Sequence, residues 1–152
     1  MTQKRKTTLI ILSFLFLLAA GAIYYGYREY YRTNTSLERS TPNFTMAADE
    51  LINSFSSDEK GANAKFLDRI IQVNGTIKSV DKDEKGYYTL VISNPTSMSS
   101  VRCSMDSLEM QKASLVKTDQ TLAVKGICTG YNADEMGLGA DVILNRCIIV
   151  EN

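Results

Sequence analysis

The chain has 152 residues, with 17 Lys or Arg against 17 Asp or Glu, three cysteines, and neither tryptophan nor histidine. Its length suits one hydrophobic core, and the missing histidine removes the commonest general base and the commonest metal ligand. The formal net charge of zero averages two unlike parts: residues 1–42 carry six Lys or Arg and two Glu, whereas residues 43–152 carry eleven and fifteen acidic residues, a net of −4.

Residues 8–26 (TLIILSFLFLLAAGAIYYG) are uncharged and mostly apolar, and they follow Lys4-Arg5-Lys6. A helix crosses the hydrocarbon core with roughly 20 apolar residues, so 8–27 is read as a transmembrane anchor. Tyr24, Tyr25, Tyr27, Tyr30 and Tyr31, mixed with Arg28 and Arg32, resemble interfacial anchoring residues. The competing reading is a cleaved signal peptide ending at Ala20-Gly21-Ala22. A lipidated cysteine is excluded, because no cysteine precedes Cys103. The basic bias places residues 1–7 in the cytoplasm and the larger part outside. Residues 28–43, polar and ending near Pro42, read as a linker, leaving 44–152 as one domain.

That domain opens with helices. Residues 46–55 place Ala48, Leu51, Ile52 and Phe55 on one face. Ser56 and Glu59 match a capping box, and a second helix runs to about Phe66. The period then becomes two. Ile71, Val73, Gly75 and Ile77 form the inner side of a first strand, with Gly75 at a bend and a bulge near Lys78 or Ser79. After an acidic turn (81–86), Tyr88, Leu90 and Ile92 alternate with Tyr87, Thr89 and Val91 in a second strand. Val101, Cys103 and Met105 mark a third, and 107–116 read as a helix with Leu108, Ala113 or Lys112, and Leu115 along one side. A fourth strand includes Leu122, Val124, Gly126 and Cys128, a loop covers 131–139, and 142–150 form a fifth strand.

Three strands, a helix and two strands is the element order of a five-stranded oligonucleotide/oligosaccharide-binding (OB) barrel. The expected fold class is therefore an N-terminal transmembrane helix plus a mainly β domain, an OB-fold barrel with N-terminal helices and a helix between strands three and four. The chain also resembles the tRNA-anticodon-like OB family of small bacterial membrane-anchored or exported proteins. The resemblance runs from about Met46 to Val150 and rests on Ala62-Asn63-Ala64-Lys65-Phe66, Val73-x-Gly75-x-Ile77, Val101-Arg102-Cys103, Gly126-Ile127-Cys128-Thr129-Gly130 and Asn145-Arg146-Cys147. It implies the fold and assigns no activity.

An OB barrel presents ligands on the outer face of strands two and three. Parity puts Tyr87, Thr89, Val91, Arg102 and Ser104 there, framed by Lys85 and Tyr131. One aromatic and one guanidinium could stack a sugar ring or a base; the bland reading is a solvated sheet face. Cys128 and Cys147 are symmetric about the loop holding Gly137 and Gly139, so a simple hairpin would let them form a disulfide, against the alternatives of a bridge involving Cys103 and of three buried free thiols. With no C-x-x-C pair and no histidine, no metal site and no cofactor are expected. Haem attachment through histidine, as in the exported OB-type haem chaperones, is excluded chemically.

The sequence thus points to a non-enzymatic, single-pass membrane protein. It presents a periplasmic or extracytoplasmic OB module that engages an envelope protein or a glycan. Nucleic acid is the competing ligand, through Tyr87, Arg102 and Lys85. The acidic balance argues against it, because phosphate neutralisation by basic side chains supplies most of such affinity.

Overall fold

The structure, a computed structural model, describes residues 18–27, 36–133 and 139–150. The chain divides into two compact units, Met1–Arg39 and Ser40–Asn152. In the first, residues 18–27 are helical and exposed, and Ser36–Arg39 makes one turn, α1. Among the described residues no helix is long and apolar enough to cross a membrane. Residues 1–17, which hold half of the expected anchor, and 28–35 of the expected linker lie outside the described residues.

The second unit begins with a strand that the periodicity did not reveal. Phe44–Ala47 (β1) pairs in parallel with Ile71–Asn74 of β2 (Ile70–Lys82). Met46 and Ala47 therefore belong to a strand, not to the first helix. Parallel neighbours need a crossover, which α2 (Ala48–Ser57) and α3 (Glu59–Phe66) supply. Ala48, Leu51, Ile52 and Phe55 face the core, as their spacing requires. The expected capping box is corrected: the N-cap of α3 is Asp58, whose carboxylate accepts the Gly61 N–H at 3.0 Å. The Ser56 hydroxyl instead pairs with the Tyr131 hydroxyl at 3.3 Å.

The barrel closes because β2 is long enough to serve two partners. Its last residues pair with β3 (Tyr88–Ile92), and its first pair with β5 (Thr121–Asn132). The register shift between Ile77 and Ser79 falls where the off-parity Val80 called for a bulge. At Gly75 the chain approaches its neighbours closely. A Cβ there would lie 2.5 Å from Ile92 Cγ2 and 3.2 Å from Ala48 Cβ. β3 pairs with β4 (Ser100–Met105), β4 runs parallel to β6 (Asp141–Val150), and β6 returns antiparallel to β5. The result is a closed five-stranded barrel carrying β1 as an added strand. Ile71, Val73, Ile77, Leu90, Val101 and Cys103 all point inward without solvent exposure.

The helix expected over 107–116 is much shorter. Ser107–Glu109 forms a 3-10 turn and Met110–Ala113 a single α-turn, α4. Ala113 alone is buried, whereas Leu108 and Leu115 are 70% and 77% exposed. Asp106 accepts the Leu108 N–H at 3.1 Å and caps the tight turn. That geometry rotates the two leucines off the stripe that regular helical spacing would have given them.

Candidate ligand-binding face

Thr89, Arg102 and Ser104 of the expected face stand partly exposed on β3 and β4, whereas Val91, also expected there, is buried. Thr89 lies opposite Ser104, and Val91 lies opposite Arg102. β2 adds Asp81 beside Thr89 and Ser79 beside Val91. Alternation enforces this arrangement, since Leu90, Val101, Cys103 and Met105 take the inner side. Lys85 lies in the turn between β2 and β3, and Tyr87 directly precedes β3. The Asp83 carboxylate organises that turn, accepting the backbone N–H of Lys85 at 2.9 Å and of Tyr87 at 2.8 Å. Gly86 has φ +90°, a conformation that favours glycine. Tyr87 is half exposed, and its neighbour Tyr88 carries the Lys82 ammonium 5.2 Å from its ring centre.

Tyr131 is not on this face. It lies in β5, with its ring stacked on Phe55 at 5.0 Å and 17°. Its expected role as a framing residue is corrected. Pairing opposite Val142 turns it toward α2, so its ring extends the core and its hydroxyl meets Ser56.

The electrostatics centre on Arg102. Its Nη2 lies 3.4 Å from Asp81 Oδ2 and its Nη1 3.8 Å from Asp141 Oδ2. Asp141 also accepts a short hydrogen bond from the Ser100 hydroxyl. One guanidinium is thus flanked by two carboxylates, and an approaching phosphate would meet their repulsion. The sequence named Asp81 as a turn acid and missed Asp141. Only the parallel β4–β6 pairing, which sets Ser100 beside Asp141, brings it close. No local spacing signals that contact.

The cysteines also differ from the hairpin expectation. All three are buried free thiols. Cys128 lies opposite Leu144, not Cys147, because the whole β5–β6 ladder, with Tyr131 opposite Val142 and Lys125 opposite Ile148, runs in a different register from the one chain symmetry requires. The pairing assumed from chain symmetry is therefore absent. Burial pushes the Cys128 thiol up, partly opposed by a hydrogen bond from the Gly130 backbone. Burial also holds the Cys147 thiol well above the ordinary value. Among the described residues, no group of three or more His, Cys, Asp or Glu could hold a metal ion.

A further groove lies elsewhere. It has a volume of about 730 Å³ and is lined by Leu115, Val116, Leu122, Ile149 and Val150 among others.

A family model described as tRNA_anti-like matches residues 1–148. No curated protein matches the sequence. Among solved structures, the chain is similar to a proposed nucleic acid-binding lipoprotein from Klebsiella pneumoniae. The TM-score is 0.55 at 11% identity, covering 70% of this chain and 91% of that one. Asparaginyl-tRNA synthetase from Entamoeba histolytica aligns with a TM-score of 0.45 at 12% identity over 74% of this chain, which spans only 24% of that enzyme. An OBody bound to hen egg-white lysozyme aligns with a TM-score of 0.44 at 10% identity, covering 58% of this chain and 87% of that one.

Proposed function

The chain belongs to the tRNA_anti-like family, and from that premise we propose that it is a non-enzymatic, membrane-anchored OB-fold binding module. Residues 8–27 anchor it, 1–7 remain in the cytoplasm, 28–43 link anchor to barrel, and 44–152 act in the periplasm or outside the cell. The ligand is an envelope protein or a glycan, met on the face of Thr89, Arg102 and Ser104, with Tyr87 and Lys85 at its edge.

The observation that carries this reading is the compensation of Arg102 by Asp81 and Asp141. A face whose central cation is already flanked by carboxylates favours neutral hydroxyl-rich or polar protein surfaces over polyphosphate. The acidic balance of residues 43–152 supports the same choice. The uncharged run after Lys4-Arg5-Lys6 supports the anchor and its orientation.

Two experiments test this. Protease added to intact spheroplasts should digest the barrel while the anchor stays with the membrane; protection of the barrel overturns the orientation. A photo-crosslinker placed at Thr89 in native membranes should capture a protein or a glycan. If RNA or single-stranded DNA binds at micromolar concentration and physiological salt, and Arg102→Ala and Tyr87→Ala weaken that binding, the ligand reading fails.

A further inference from the structure

The β6 strand reverses its own alternation at one residue. Val142 and Leu144 point inward, so strict alternation would send residue 146 in and residue 147 out. The ladder to β4 instead steps from Cys103↔Leu144 to Met105↔Cys147, one extra residue on β6. Arg146 takes up the extra length with φ +55°, an unusual conformation for a long side chain. Its guanidinium turns out to Asp106, with Nε 3.6 Å from Oδ2, and Cys147 turns fully into the core.

Space for that thiol is made by Gly126, where a Cβ would lie 2.5 Å from Cys147 Sγ. Cys103, on the adjacent strand, also points inward with no solvent exposure. The Cys103 thiol lies within hydrogen-bonding reach of Cys147, with the Asp106 carboxylate also nearby. Cys128 lies on β5 opposite Leu144, with Asp68 as its charged neighbour.

We propose that Cys103 and Cys147 close a disulfide under oxidising conditions, while Cys128 stays a thiol. One cysteine, as thiolate, attacks a sulfur of an external disulfide oxidant and forms a mixed disulfide. The second thiolate displaces the oxidant's remaining sulfur. The two protons given up by the cysteines pass to the departing sulfurs, so the oxidant leaves as two thiols carrying the two electrons. The bridge links β4 to β6 across the parallel seam and closes a loop spanning residues 103–147. Only its formation in the cell rests on the proposed export, which supplies the oxidising compartment.

The test uses the unaltered full chain, purified in detergent and equilibrated with oxidised and reduced glutathione in mild urea to speed opening of the core. The chain is then quenched with an alkylating reagent under denaturing conditions and mapped without reduction. The expected map joins the Cys103 and Cys147 peptides and alkylates Cys128 alone. The oxidised form should unfold on the order of 10 °C above the reduced form. That difference should persist in Cys128→Ala and vanish in Cys147→Ala. Three alkylated cysteines after equilibration, or a bridge containing Cys128, overturns the proposal. Thiol counting on chain taken directly from membranes is a separate arm. Three free thiols there, with the bridge formed in glutathione, support the geometry and count against export.

Discussion

Arg102 and Cys103 are neighbours on β4 and belong to different worlds. Cys103 is enclosed on the inner side, among Leu90, Val101 and Leu144, with no solvent exposure. Arg102 stands on the outer side, 41% exposed, its charge shared between two carboxylates. The inner side is fixed by close packing, where one methylene matters. The outer side is held by exposed ion pairs of small net worth. Substitutions that probe fold and substitutions that probe binding can therefore be separated by parity on a single strand.

The largest expected effect lies where the inner side is closed by α2. Phe55 is buried, stacks on Tyr131 at 5.0 Å and lies 5.9 Å from Phe66. Phe55→Ala should cost about 3–5 kcal/mol, through lost burial and the cavity left behind. Urea unfolding followed by tyrosine fluorescence measures it, since the chain has no tryptophan. A loss below about 1 kcal/mol would show that the helices are not part of the barrel's cooperative core.

The next effect probes the thiol packing. Gly126→Ala pushes a methyl into Cys147 Sγ and toward Leu144 Cβ at 3.3 Å and the Asn145 carbonyl oxygen at 3.3 Å. Overpacking of this kind should cost about 1–3 kcal/mol. Cys147→Ala in the same chain should recover part of that loss, giving a measurable coupling in a double-mutant cycle. Strict additivity would mean that the two groups do not touch.

Much of the inner side was legible in the sequence because it is a local pattern. Ile71, Val73 and Ile77, then Leu90 and Ile92, then Val101, Cys103 and Met105 alternate within single strands and are buried, although Val91, read as outward, is buried too. The bulge after Ile77 was legible for the same reason, through the off-parity Val80. What was missed is non-local. Nothing near Asp141 says that it will lie beside Arg102, because parallel pairing joins residues about forty apart in sequence. The β6 slip at Arg146 was hidden by its residue type, since an arginine with positive φ has no sequence signature. The Cys128–Cys147 bridge depended on a hairpin register that the β5–β6 ladder does not adopt, since Tyr131 lies opposite Val142 and Cys128 opposite Leu144. β1 was missed because four residues running straight into a helix are too few for a period to show.

A third effect follows from the buried thiols under reducing conditions. Folding raises the Cys128 and Cys147 thiols above the ordinary value of 9.0. Below that value both states keep their protons, and pH has no leverage through these groups. Above it the unfolded chain ionises first, so stability should fall as pH rises, by up to about 1.4 kcal/mol per unit for each thiol. Urea unfolding in reductant at pH 8 to 10.5 measures this. Cys147→Ala should flatten the slope and Cys128→Ala should flatten it further, whereas a slope unchanged in both variants would show that the thiols do not carry the alkaline loss.

The smallest effect on stability belongs to the residue at the centre of the candidate face. Arg102→Ala removes two exposed ion pairs, at 3.4 and 3.8 Å, and should cost no more than about 1 kcal/mol, less at high salt. It leaves Asp81 and Asp141 without their shared cation, so the face becomes more acidic while the inner side of β4 is untouched. If the ligand is a neutral glycan or a polar protein surface, capture from Thr89 should weaken by the contacts of one side chain and depend little on salt. If the ligand is anionic, binding should collapse and the salt slope should fall by about one. A charge-conserving Arg102→Lys separates the two. It keeps the cation but loses the planar fork that can engage both carboxylates and stack on a ring. Lysine should therefore restore an anionic ligand largely and a stacked sugar hardly at all.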